Sequence, residues 1–171
     1  MAASLLYALA SPADEDLDEL DSGDPEVDQF FSSRQWFVGG KHKPTTFQFR
    51  TADNSDVVGY AAVSFSNLPH PDLDSPQKAR HLVIYVAGIH QHFQGQKNPA
   101  APGERYAASL FKALEGLARE KPNTIGLHLR VRSSNARAIS FYKRFGFAPI
   151  GALQPSNDIG APYQMMRKPL T

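Results

Sequence analysis

The sequence predicts an α+β (α/β) fold: a mixed, mostly antiparallel sheet of six to seven strands with helices on both faces. Three observations carry this. Short alternating or apolar runs recur along the 171 residues as strands. Residues 79–89 and 124–131 flank a strongly amphipathic helical stretch, so one strand-helix-strand crossover makes a single parallel pair. The remaining strands follow one another through turns, which favours antiparallel neighbours.

The elements read in order as follows. Ser11-Pro12-Ala13-Asp14 is a cap, a first-turn proline and a capping-box acid, predicting a short helix over residues 12–20. Asp24-Pro25 repeats the start signal, with Val27, Phe30 and Phe31 as a small apolar stripe. Gly39 and Gly40 break the chain. Residues 45–50 (TTFQFR) alternate as a strand, Asp53, Asn54 and Ser55 supply turn chemistry, and residues 57–65 (VVGYAAVSF) form the second strand of a hairpin. Residues 67–78, rich in Pro, Asp and Ser, read as a loop. The apolar run Leu82 to Ala87 within residues 79–89 marks a central strand covered on both faces.

Residues 90–104 hold Gly95, Pro99, Pro102 and Gly103 and read as loop. Residues 106–120 place Tyr106, Leu110, Leu114 and Leu117 on one helical face, and Lys121-Pro122-Asn123 ends that helix. In residues 124–131, Ile125, Leu127, Leu129 and Val131 alternate. Asn135 then caps a helix whose stripe is Ala138, Phe141, Tyr142 and Phe145, and Gly146 suits a left-handed stop. Strands over 147–153 and 163–167 close the chain.

Composition bounds the function. The length suits about one domain, divided as an acidic lead-in over residues 1–23 and a domain over 24–171. Residues 1–28 carry nine acids and no Lys or Arg, so the rest holds 18 basic residues against eight acids. That basic body suits a polyanion: a phosphorylated cofactor, or nucleic acid. The acidic segment either pairs with the body or stays solvated. No stretch approaches the ~20 apolar residues of a membrane span, and the apolar residues 5–9 are too short for a secretory signal. Absence of cysteine excludes disulfides and thiolate chemistry and fits a cytoplasmic location. No histidine has a second ligand at metal spacing.

The loop from Ile89 through His90, Gln94, Gly95 and Gln96 into Tyr106 joins a strand to a helix N-terminus, a geometry that exposes backbone amides to an anion. Together with the segment NARAISFYKRFGF from Asn135 to Phe147, it resembles the GCN5-related N-acetyltransferases, or GNAT superfamily. Val58-Gly59-Tyr60 resembles that family's hydrophobic-Gly-aromatic strand, and residues 163–170 its closing strand. The likeness spans roughly residues 24–170 and is most specific at 127–147. It departs at the phosphate loop: Lys97 stands where the next glycine belongs, and Pro99 where a small residue belongs. If 97–102 is an insertion, Gly103 resumes the motif, with Arg105 at its last small position.

The resemblance implies acetyl-CoA as co-substrate and an amine as acceptor. It places Ala87, Gly88 and Ile89 at the thioester carbonyl, and Gln94, Gly95, Gln96, Gly103, Arg105 and Tyr106 at the phosphates. Asn135, Arg137 and Tyr142 fall beside the acyl end. Tyr142 is the implied general acid for the departing thiolate. Of His81, His90, His92 and His128, His90 is favoured by position as a base. Two alternatives stand: a CoA-binding sensor without turnover, suggested by the rewritten loop, and a toxin-like enzyme acting on aminoacyl-tRNA, suggested by Arg130, Arg132, Arg137, Lys143 and Arg144. The N-terminal helices and residues 67–78 are expected to bind the acceptor. A homodimer stays open.

Overall fold

The computed structural model describes residues 4–38, 43–69, 77–156, 158 and 160–170. Seven strands are β1 (Leu5–Leu9), β2 (Thr45–Thr51), β3 (Val57–Pro69), β4 (Lys78–Ile89), β5 (Thr124–Arg132), β6 (Ala148–Gln154) and β7 (Tyr163–Pro169). Helices are α1 (Pro25–Ser32), α2 (Gln35–Val38), α3 (Tyr106–Glu120) and α4 (Ala136–Phe145), with 3-10 turns at Glu15–Asp18 and Gln91–Phe93. The strand order is β1-β2-β3-β4-β5-β7-β6. β4 and β5 are parallel and joined through α3, and the β1–β2, β2–β3, β5–β7 and β6–β7 pairs are antiparallel. This is the mixed, mostly antiparallel sheet expected.

The chain forms two compact units: residues 1–64 with 85–114, and residues 65–84 with 115–171. In the first, Leu17, Leu20, Phe31, Trp36, Tyr60 and Ala62 form a buried cluster, with Val27, Phe30 and Val86 packed against it. The acidic segment pairs with basic partners: Asp18 with Arg34 at 2.5 Å and Asp16 with Arg50 at 3.1 Å. The Tyr60 hydroxyl donates to Asp14 Oδ2 at 3.2 Å and accepts from Gln48 Nε2 at 2.9 Å. Burial pushes that phenol well above its usual value. In the second unit, Leu82, Ile84, Leu127, Leu129, Val131, Phe147 and Met166 are buried.

Two sequence expectations change, and one strand is added. The helix over 12–20 is only the 3-10 turn Glu15–Asp18, capped by Asp14 rather than Ser11. Arg34 explains this: its guanidinium takes the Pro12 and Asp14 carbonyls, each at 2.9 Å, which a longer helix would use for itself. Residues 5–9 are a strand, because every residue pairs with β2 from Leu5↔Thr51 to Leu9↔Phe47. The loop from residue 67 begins later, since β3 runs to Pro69; residues 70–76 of that expected acceptor loop, and the Gly39-Gly40 break, lie outside the described residues. The elements centred on α1, the β2–β3 hairpin, β4, α3, β5, α4, β6 and β7 stand where the sequence puts them.

Candidate active site

Of the thirteen expected site residues, Ala87, Gly88, Ile89, His90, Gln94, Gly95, Gln96, Gly103, Arg105 and Tyr106 lie in the first unit, and Asn135, Arg137 and Tyr142 in the second. In the first, β4 ends against β3 with unusual closeness. A β-carbon on Gly59 would stand 2.1 Å from the Gly88 carbonyl oxygen, and one on Gly88 would stand 2.6 Å from Val27 Cγ1. The β3 glycine of the Val58-Gly59-Tyr60 run is thus required by contact, and His90 N–H donates to the Val58 carbonyl at 2.9 Å just beyond it. The parallel register of β4 with β5 runs from Arg80↔Thr124 to Ile84↔Leu129, and β4 continues to Ile89.

After β4 the chain turns through Gln91–Phe93, with Phe93 buried against Tyr106 at a ring separation of 4.9 Å. Gln94 does not point freely outward: its side-chain amide donates to the Ser22 carbonyl at 2.7 Å and to the Ile89 carbonyl at 2.8 Å, bracing the loop. Gly95 has a φ of +73° and an open side where a β-carbon would meet nothing within 4 Å. That open side of the backbone fits an anion cradle before a helix start.

The interruption of the glycine motif is a closed excursion. Tyr106 N–H donates to the Gln96 carbonyl at 3.1 Å and Asn98 N–H to the Glu104 carbonyl at 2.7 Å, so Lys97 and Arg105 oppose each other in an antiparallel bridge. Gly103, with φ of +80°, follows Pro102 in the turn closed by Glu104 N–H on the Ala101 carbonyl. The chain therefore rejoins α3 at Tyr106, and Gly103 serves the turn of the excursion.

His90 Nδ1 accepts from the Asp21 amide at 3.2 Å, so the neutral ring carries its proton on Nε2. His90 lines a cavity of ≈310 Å³ with Asp16, Glu19, Arg50, Ser55, Asp56, Val57, His92 and Phe93. Asp16 and Arg50 neutralise each other, so Glu19 and Asp56 leave this cavity favourable to a cation.

In the second unit, α4 is fixed at both ends. The Asn135 side-chain oxygen accepts from Ala138 N–H at 3.1 Å. At the other end Gly146, φ +114°, donates to the Lys143 carbonyl at 3.1 Å while Phe147 donates to the Tyr142 carbonyl at 2.9 Å, a Schellman closure. The Tyr142 ring sits edge-on to Phe141 and Phe147, each at 5.6 Å. It is half-buried, and burial pushes its phenol up to about 12. Arg137, Ser140, Lys143 and Arg144 are exposed on the same helix.

Sequence reasoning missed Asn98 and Asp21. Asn98-Pro99 is a turn signal that marks a loop but not a buried amide; the Asp21 contact with His90 spans 69 residues and leaves no local trace. Among the described residues, no three His, Asp or Glu side chains gather to hold a metal ion, and no helix is long and apolar enough to cross a membrane.

Solved structures share the fold. A chimera of the spermidine N-acetyltransferase SpeG from Vibrio cholerae and hSSAT matches with a TM-score of 0.69 at 16% identity, over 97% of this chain and 95% of that one. NAA60 of Arabidopsis thaliana, in complex with a bisubstrate analogue, matches at 0.67 and 15%, over 98% and 99%. AtaT complexed with acetyl-methionyl-tRNAfMet matches at 0.66 and 18%, over 96% and 94%. A comparison with proteins of curated function gives no match. The family model described as acetyltransferase (GNAT) family matches residues 13–147, and on that match the chain belongs to this family, whose acyl donor is acetyl-CoA.

Proposed function

We propose that this protein is an N-acetyltransferase that moves acetyl from acetyl-CoA to a primary amine by direct attack, with Tyr142 as general acid. The observation that carries this reading is Tyr142 itself. It is held on a helix capped at both ends, with a phenol pushed up to about 12 by burial. Such a phenol keeps its proton throughout the neutral range and can donate it to a departing thiolate. In the step, the amine nitrogen bonds to the thioester carbon, the carbon–sulfur bond breaks, and the sulfur takes the Tyr142 proton.

Main-chain amides of Ala87, Gly88 and Ile89 are assigned to the thioester carbonyl, the group on which charge develops. The phosphates fall to Gln94, Gly95, Gln96, Arg105 and the Tyr106 start of α3, with Gly103 shaping the loop. Asn135 and Arg137 belong to the α4 side of the cofactor. His90 is assigned the proton of the incoming amine through Nδ1, which must first release the Asp21 amide, because the neutral ring that accepts there carries its own proton on Nε2. The cavity it lines, with Glu19 and Asp56, favours a positively charged acceptor.

The test follows free thiol while acetyl-CoA is incubated with diamines, peptides with a free N-terminus, and charged tRNA. Release with an amine supports the enzyme. Thermal stabilisation by CoA with no thiol release from any acceptor overturns it in favour of a sensor.

A second reading, transfer to aminoacyl-tRNA, rests on charge. The first unit carries twelve acids against seven basic residues, and the second eleven basic residues against five acids. No acid occurs between Glu120 and Asp158. A surface of one sign favours a nucleic-acid acceptor. Thiol release confined to charged tRNA, falling steeply with salt, selects this reading over the free amine.

A further inference from the structure

The interrupted glycine motif has a built replacement. Asn98 is 3% exposed and spends its whole side chain. Its Nδ2 donates to the Ser4 carbonyl at 2.8 Å and to Ser109 Oγ at 3.0 Å, and its Oδ1 accepts from Ala100 N–H at 3.0 Å. Ser109, fully buried on the first turns of α3, donates onward to Glu104 Oε2 at 2.5 Å. Glu104 also pairs with Lys112. One buried amide thus ties the excursion to α3 and to the residue preceding β1.

The consequence lies at the neck. The bonds Tyr106 N–Gln96 O and Asn98 N–Glu104 O flank the Lys97–Arg105 pair, making it a non-hydrogen-bonded antiparallel pair. In such a pair the side chains leave on the same face and at the shorter of the two pair spacings. Two exposed cations are therefore held side by side next to Gln96 and the start of α3. Glu104, the one acid of the excursion, is committed to Ser109 and Lys112 and does not neutralise them. Opposed like charges cost stability unless an anion lies between them.

We propose that Asn98 is a positioning residue for acetyl-CoA: it closes residues 97–105 into an excursion that presents Lys97 and Arg105 together to the cofactor's phosphates, in place of the missing glycine amides. This rests on the reading of the chain as an acetyl-CoA-dependent enzyme. Arginine and lysine bind phosphate by charge-assisted hydrogen bonds, so their loss acts on cofactor binding and leaves the chemical step alone.

The experiment compares acetyl-CoA with acetyl-pantetheine, a thioester donor without phosphates. Asn98→Ala is expected to raise KM for acetyl-CoA about tenfold or more, with kcat within about twofold and KM for acetyl-pantetheine unchanged. Lys97→Ala/Arg105→Ala, which alters only exposed side chains, is expected to give the same split, and it carries the test if Asn98→Ala fails to fold. Ser109→Ala should give a smaller shift in the same direction. Equal losses with both donors, a loss in kcat alone, or an unchanged KM in the double variant overturns the proposal. A wild-type protein that binds no CoA by titration calorimetry overturns the enzyme reading itself, which is a different result from a wild type that binds CoA and a double variant that binds it equally well.

Discussion

The main-chain carbonyl of Gly88 occupies the space that a β-carbon on Gly59 would need, with only 2.1 Å between them. Backbone meets backbone there, and neither strand has a side chain that can rotate away. Gly59→Ala is expected to destabilise the protein by more than about 2 kcal/mol, through displacement of the β4 end. Gly88→Ala meets side chains, the Val27 methyl at 2.6 Å with Leu20 and Ser22 at ordinary contact distance, and is expected to cost less. Urea unfolding of both variants checks the order.

Tyr142→Phe keeps the ring contacts with Phe141 and Phe147 and removes the proton. Turnover is expected to fall about a hundredfold or more while CoA affinity is unchanged. Because the phenol is raised to about 12, the wild-type rate should show no alkaline decline from this group below about pH 11. Initial rates over pH 7–10.5 and calorimetric titration with CoA read the two parts separately.

His90→Ala is expected to lower turnover at pH 7 by about tenfold or more, and the deficit should shrink at alkaline pH where the amine deprotonates without help. Its ring bond to the Asp21 amide makes it a support for the N-terminal segment too. His90→Gln, tested beside it, separates that support from base chemistry. A rate restored by Gln would sink the base assignment.

His128 gives a stability signature. It pairs with Arg167 in the β5–β7 register, and its ring lies 6.3 Å from His81, whose Nε2 accepts from Arg167 Nε at 3.1 Å. Burial, then the neighbouring His81 and Arg167, hold its folded value below the ordinary 6.5. The unfolded chain therefore takes up a proton first, and stability present above pH 6.5 is lost as pH falls through the folded value. Urea midpoints should drop from pH 7.5 to pH 5.5, and His128→Gln should flatten that drop.

Asn135→Ala removes the cap of α4 and is expected to cost about 1 kcal/mol, or ~2–4 °C in Tm. Gly146→Ala is expected to cost at least as much, because φ is +114° and an added β-carbon would stand 2.9 Å from Lys168 Cε. Calorimetric melting of both variants is the check.

What could be read from the sequence follows how local each determinant is. α4 was legible to within a residue because cap, stripe and glycine stop all lie within thirteen positions. α3 was legible for the same reason, since its apolar face repeats through fifteen residues. β1 was not, because LLYAL has no alternation and becomes a strand only by pairing with residues more than thirty positions away. The 12–20 stretch misled through its own good capping signals, which Arg34, with φ of +56°, overrides from a distance. Of the proposed site, Tyr142 and Asn135 could be named from motif alone. Asn98 could not, because its partners are Ser4 and Ser109 and its neighbourhood departs from the motif.

The bond from Asn98 to the Ser4 carbonyl also sets an order of events during synthesis. Ninety-four residues separate the two groups, and the unit that contains both is interrupted by residues 65–84. At about 5–20 residues per second, a ribosome takes seconds to deliver Asn98 after Ser4 has emerged. Until then β1 can pair with β2 but cannot be locked at its start. The uncharged LLYAL strand, outermost in the finished sheet as well, is untied at its start during that interval, when strand addition from another chain is the hazard. The same amide that closes the 97–105 excursion is therefore a late latch on the growing chain. Asn98→Ala should reveal itself first as aggregation during expression, before any defect in the purified enzyme is measured.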